Sequence, residues 1–372
     1  MTLLADYTTL GLGGPAARFI EADHDDQVIA EVRQADADGE PVLVLGGGSN
    51  LVVADEGFPG TVVHMATRGV QITAEDGGVT VAVAAGEDWD RLVERCIDEG
   101  LSGLECLSGI PGLAGATPIQ NVGAYGQEVA ETIVAVRAYD RLLDTVTELA
   151  NADCGFGYRT SAFKRSAVAS RGDGARRRAA NPAAATGRFV VLGVTFRLAR
   201  DPLSAPVRYG ELARVLDTAE GGRVPLGDAR SAVLALRRGK GMVLDPADPD
   251  TRSAGSFFTN PVLDGRQFAE VRRRAAARSG RTPDEVAVPH FAAGDDHMKV
   301  PAAWLIEQAG FTKGYSGDGN ARISSKHTLA LTNPGGARTA SLIGLARQIR
   351  NGVQQAFGVE LVSEPVLIGV EL

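Results

Sequence analysis

The apolar positions change period along the chain, and each change marks an element. Over 340–358 they recur at helical spacing: Leu342, Leu345, Ile349, Val353 and Phe357 share one face, and Gly358 stands where a left-handed cap is wanted. Trp89, Leu92, Val93, Cys96 and Ile97 make a second such face over 88–100, capped by Gly100. Val28, Ile29 and Val32 predict a shorter helix over 25–38, and further helices are expected at 228–238 and at 264–280, a strongly basic stretch. WLIEQAGF at 304–311 reads as a buried helix end, and SAPVRYGEL at 204–212 as a loop entering a helix. Short β-branched runs at 61–65, 69–74 and 79–84 predict strands joined by turns such as Asp76-Gly77-Gly78. A hairpin is expected at 131–139 and 144–149, a strand at 188–198, a strand region at 321–333 and a strand-like C-terminal segment from Val359. There is no internal repeat.

One stretch has neither period. GIPGLAGATPIQNVGAYG, from Gly109 to Gly126, holds five glycines and two prolines in eighteen residues. Glycine lets main chain approach a ligand closely, and proline fixes φ and removes a donor. Loops longer than about 12–15 residues in compact domains are usually functional or disordered. Ile110, Leu113, Ile119, Val122 and Tyr125 argue for order. A second glycine turn, Gly46-Gly47-Gly48-Ser49-Asn50, joins the apolar runs of PVLVLGGGSNLVV. It reads as an anion cradle or as a tight turn between strands. It lacks the lysine of a nucleotide P-loop and the spacing of a dinucleotide fingerprint.

The length of 372 residues suggests two or three domains, and a net charge of −8 with a pI near 5.3 argues against nucleic acid as a partner. The arginines of RGDGARRRAANPAAATGR at 171–188 then read as a mobile insertion. No apolar run approaches the roughly 18 residues of a membrane helix, and the N-terminus lacks the pattern of a signal peptide. A cytoplasmic protein is expected. Cys96, Cys106 and Cys154 show no close pairing, and the histidines are scattered, so neither a disulfide framework nor a metal site is expected.

Polar residues sit in four places where packing alone does not ask for them. GYRTSAFK carries Tyr158, Arg159, Ser161 and Lys164. GSFFTNP sets Ser256 and Asn260 around two phenylalanines that must bury and so hold the loop rigid. LVSEPVLIG puts Glu364 inside an apolar strand, either at an exposed edge or buried with a raised pKa. RRGKG offers cations at a helix end, either solvated or awaiting a phosphate.

Taken in order, GGGSN (46–50), IPGLAGATPIQNVGAYGQE (110–128), YRTSAFK (158–164), RYGEL (208–212), GSFFTNP (255–261), PAAWLIEQAGF (301–311) and SEPVLIG (363–369) resemble the UDP-N-acetylenolpyruvoylglucosamine reductase (MurB) family, in the form that carries a tyrosine loop. The resemblance covers nearly the whole chain. It implies an α+β fold with an FAD-binding domain of the vanillyl-alcohol-oxidase (PCMH) type, built from two subdomains at 1–67 and at 68–245 with 357–372. A smaller C-terminal α+β substrate-binding domain would occupy 246–356. FAD would be held non-covalently, its pyrophosphate on Gly46, Gly47, Gly48, Ser49 and Asn50 and its isoalloxazine near Thr117, Pro118, Gln120, Asn121 and Gly123.

NADPH would be the co-substrate and UDP-N-acetylglucosamine enolpyruvate the substrate, reduced for peptidoglycan precursor synthesis. By the same resemblance Arg159 and Glu364 would meet the enolpyruvyl carboxylate, and Ser256 would protonate C2. Tyr209 and Lys240 would hold the UDP phosphates, and Asn260 would touch substrate. Phe291 stands where relatives carry tyrosine. A monomer without membrane insertion is expected. Two other readings stay open at this level: an FAD-dependent alcohol or sugar oxidase, with His64 the only early candidate for a covalent tether, and a non-catalytic nucleotide-sugar binder.

Overall fold

The computed structural model describes residues 1–169, 186–294 and 296–372, so the expected insertion lies, except for its last three residues, outside the described residues. The chain forms two compact units. The first is Met1–Thr2, Pro15–Gly48 and Phe58–Val243; the second is Leu3–Gly14, Ser49–Gly57 and Leu244–Leu372. Residues 357–372, expected beside 68–245, group with the second unit. There the strand Val366–Ile368 runs parallel to Leu51–Val53.

Besides the short pair Gly123–Ala124 and Gln127–Glu128, the described residues of the first unit form two sheets. In the smaller, Ala16–Ala22 and Val42–Leu45 flank Phe58–Met65, all parallel. Parallel neighbours need a crossover, and the helix Asp25–Asp38 supplies it between the first two strands. The middle strand is covered on both sides, so Thr61, Val62 and Val63 are all buried. The larger sheet is antiparallel, ordered Thr145–Ala150, Ile133–Asp140, Phe189–Arg200, Gly78–Ala84, Val70–Glu75. Val79, Val81 and Val83 alternate inward from Gly78–Ala84 into one core with Trp89, Val93, Cys96 and Phe196. Trp89 is fully buried and its indole N–H donates to the Leu107 carbonyl at 3.1 Å. The helix it begins, Trp89–Asp98, is capped by Asp88, which accepts the Arg91 N–H, and Gly100 turns the chain away at φ 71°.

The second unit is organised on the helix Thr339–Phe357, whose five expected inward residues are all buried and which ends at Gly358, φ 74°. Its core also takes in Phe257, Phe258, Leu305 and Ile323. Residues 321–333 are two short antiparallel strands, Arg322–Ile323 and Ala330–Thr332, with a turn between them, and Ser253–Ser256 pairs with the second. The buried helix end is Ala302–Gln308, and of the last fourteen residues only Val366–Ile368 forms a strand.

Candidate active site

The glycine-rich loop is fastened at its start. Asp90 accepts the Gly109 N–H at 2.6 Å and is itself held by Arg230 through bonds of 2.6 and 3.0 Å. Burial pushes the Asp90 carboxyl up, but the bonds from Arg230 and Gly109 and the charges of Arg230 and Arg237 outweigh it. The group ends below the usual carboxylate value. Gly109 has φ 70°, and a Cβ there would lie 2.7 Å from Leu234. Further along, a Cβ on Gly47 would sit 2.8 Å from the Gly112 Cα, and one on Gly115 would sit 2.4 Å from the Ala85 Cβ. Bare main chain is therefore required where the loop meets the turn at 46–48 and the strand end at Ala85. That is the surface a flat, anionic dinucleotide needs, and these residues fit FAD.

The turn itself is not the link of a hairpin. Val42–Leu45 and Leu51–Val53 enter different sheets, so Gly46, Gly47 and Gly48 belong to the first unit and Ser49 and Asn50 to the second. Gly48 takes φ 58°.

The expected isoalloxazine contacts divide into two kinds. The Thr117 hydroxyl donates to the Ala114 carbonyl at 2.7 Å, and Pro118 is buried. Asn121, buried and at φ 44°, donates to Glu128 at 2.7 Å and to the Gly157 carbonyl at 3.1 Å, and accepts the Ala130 N–H at 3.1 Å. Its side chain clasps the loop to the turn at 157–160, so what this position offers a cofactor is main chain. The Gln120 carbonyl oxygen accepts from Lys164 at 3.0 Å, which turns its amide NH2 the other way. The Gly123 carbonyl accepts from Arg159 Nη2 at 3.0 Å.

Arg159 sits in a tight turn closed by two reciprocal bonds of 3.1 Å between Gly157 and Thr160, and has φ 52°. It is half-buried rather than solvated. Lys164 also reaches the Arg159 carbonyl at 3.3 Å. Tyr209 is 41% exposed and stacks edge-on against Tyr125, ring centres 5.5 Å apart. Lys240 lies 5.7 Å from the centre of the Tyr125 ring and pairs with Glu211 at 2.6 Å. Burial pushes the Tyr125 hydroxyl up to about 12, and the same cause pushes the Arg237 guanidinium below its usual value, with Arg159 adding to the depression.

In the second unit, Ser256 ends the strand Ser253–Ser256 and precedes Phe257 and Phe258, each 1% exposed. Their rings pack at 5.1 Å and anchor the segment as expected. The Phe257 carbonyl accepts the Glu364 N–H at 2.9 Å, and the Val362 carbonyl accepts the Thr259 N–H at 3.0 Å. Ser256 and Glu364 are thus carried on neighbouring extended segments. Glu364 is not inside a strand; it is half-buried in the bend before Val366–Ile368. The Asn260 side-chain oxygen Oδ1 accepts the Ala302 N–H at 2.9 Å at the start of the helix Ala302–Gln308. Only its amide NH2 end is left to meet a substrate. Phe291 is exposed.

Asp90, Arg230 and Glu211 brace the candidate residues and were not singled out in the sequence, whereas Tyr125 and Arg237 stood inside the glycine stretch and RRGKG. Burial raises the thiols of Cys96 and Cys106 to about 12 and of Cys154 to about 11, so none is a nucleophile. Among the described residues no cluster of His, Cys, Asp or Glu could hold a metal ion, and no helix is long and apolar enough to cross a membrane.

Residues 16–145 match the FAD binding domain family, and residues 246–368 match the C-terminal domain of UDP-N-acetylenolpyruvoylglucosamine reductase. Together they define a flavin-dependent oxidoreductase of two parts. Over 370 residues the chain is 56% identical to the UDP-N-acetylenolpyruvoylglucosamine reductase of Thermobifida fusca, covering 99% of this chain and 97% of the relative. It is 55% identical to that of Streptomyces coelicolor, covering 99% and 90%. The crystal structure of the reductase from Thermus caldophilus superposes with a TM-score of 0.60 at 26% identity, covering 98% of this chain and 97% of that one. The chain belongs to the UDP-N-acetylenolpyruvoylglucosamine reductase family.

Proposed function

We propose that Arg159, Ser256 and Glu364 act on one enolpyruvyl group. The substrate is UDP-N-acetylglucosamine enolpyruvate, which this FAD-dependent oxidoreductase reduces with NADPH to UDP-N-acetylmuramate for peptidoglycan precursors. FAD, when bound, relays hydride from NADPH to C3 of the alkene. Negative charge then develops at C2 and spreads into the neighbouring carboxylate. The Arg159 guanidinium offers that carboxylate a planar pair of donors, and its turn and the Gly123 carbonyl hold it in place. Glu364 meets the carboxylate as a neutral acid or by sharing a proton. The Ser256 hydroxyl gives its proton to C2, so C3 gains a hydride, C2 gains a proton, and the ether bond stays intact. A strongly basic carbon makes an alcohol an adequate acid, and such a donor contributes roughly 10²–10⁴-fold.

The observation that carries this reading is the pairing of the Ser256 and Glu364 segments through Phe257. Tyr209 and Lys240 hold the diphosphate, and the Asn260 amide NH2 touches the sugar nucleotide. The enzyme works as a monomer in the cytoplasm. The purified protein is tested by following NADPH oxidation. Consumption of one NADPH per enolpyruvyl group, only when that substrate is present, is the expected result. NADPH oxidation indifferent to the substrate, or transfer to oxygen alone, contradicts it.

A further inference from the structure

Lys240 already has an anion. Glu211 Oε2 lies 2.6 Å from its ammonium, and the two side chains are 36% and 32% exposed. Two guanidiniums lie nearby, and Glu220 approaches Gly210 on the Glu211 segment. Arg237 donates from Nη2 to the Met242 carbonyl at 2.9 Å, while its buried Nε has no hydrogen-bond partner among the described residues. Arg159 adds a second guanidinium whose charge Arg237 feels. Asp90, whose charge Arg237 also feels, is engaged by Arg230. Glu211 follows Tyr209 by two residues, and Tyr209 stacks on the same Tyr125 ring that Lys240 overlies. A single short segment therefore carries both the aromatic ring expected over the diphosphate and a carboxylate occupying its cation.

We propose that Glu211 is an exchangeable counter-ion: it holds Lys240 over Tyr125 in the unliganded enzyme, and the substrate's diphosphate displaces it. This rests on the reading that Lys240 meets that diphosphate. One ammonium does not keep a carboxylate and a phosphate at contact distance together without strong repulsion between the two anions. Glu211, already partly exposed, moves into water as the phosphate arrives, and returns as the product leaves. The pair keeps the cation placed and sets an upper limit on affinity, which favours release of a product that carries the same UDP group.

The test is a titration of the FAD-loaded enzyme with UDP, which has the diphosphate and lacks the enolpyruvyl group, read by calorimetry. Glu211→Gln removes the competing charge and should tighten UDP binding by about 3- to 10-fold, the scale of a partly exposed ion pair plus a relieved repulsion. Glu211→Asp keeps the charge and should stay within about twofold of the parent. Lys240→Met should weaken UDP by about tenfold or more, and in that background Glu211→Gln should gain less than about twofold. Weaker or unchanged binding in Glu211→Gln, with Lys240→Met still damaging, overturns the exchange and leaves the diphosphate reading standing. Unchanged binding in Lys240→Met removes the reading itself, and the exchange with it.

Discussion

The amide of Glu364 donates to the carbonyl of Phe257 at 2.9 Å, and that bond sets the expected carboxyl beside the segment that carries Ser256. The two residues are distant in sequence, and nothing local to either predicts the contact. Phe257 and Phe258, fully buried beneath, keep the segment from shifting. A proton donor held by core packing keeps its geometry when ligands come and go.

Arg159 is expected to act through its shape and not only through its charge. Arg159→Lys keeps a cation in the same turn but loses the fork. Turnover should fall about 10²–10³-fold with FAD retained. Near-normal kcat with a merely raised KM would remove Arg159 from the chemistry.

Asn121 is predicted to matter for stability before it matters for hydride transfer. Asn121→Ala strands the partners of three hydrogen bonds and puts a non-asparagine residue at φ 44°. The loss should be about 2–4 kcal/mol, seen as a lower denaturation midpoint. Asn121→Gly should lose less, since the backbone strain is relieved. An unchanged midpoint in the alanine variant would show that the clasp holds nothing.

The Asp90–Arg230 pair gives a pH signature. The folded-state value of Asp90 is depressed, so its stabilisation is full above the unfolded value near 4 and is lost as pH falls through the lower folded value. Arg230→Met should therefore lower stability by about 1–2 kcal/mol at pH 7, a figure kept small because Asp90 is a third exposed. The gap between variant and parent should begin to narrow as pH falls below about 4. A gap that is constant down to pH 3 would mean that the guanidinium acts by packing alone.

Elements with a strong local period were legible in the residues: the helix at 25–38, the helix ending at Gly358 and the hairpin after the glycine loop all stand as expected. Parallel pairing was not legible, because its partners are far apart in sequence. Val42–Leu45 and Leu51–Val53 read as two strands joined by a glycine turn, and they enter two different sheets. The same limit hid the site's supports. Asp90 and Arg230 each look like solvated helix charges, and only the fold brings them together under Gly109. Glu211 stood inside a recognised motif, yet a carboxylate in the first turn of a helix has an ordinary explanation. Asn121 was expected near the cofactor from the resemblance of its motif, and its three side-chain bonds to Glu128, Gly157 and Ala130 were not legible there.

The central claim, that Ser256 supplies the proton and has no part in flavin reduction, is tested most directly by separating the half-reactions of Ser256→Ala in a stopped-flow spectrophotometer. NADPH should bleach the flavin at close to the parent rate, while reoxidation by UDP-N-acetylglucosamine enolpyruvate should slow by roughly 10²–10⁴-fold. Equal slowing of both steps, or reoxidation at the parent rate, would contradict it.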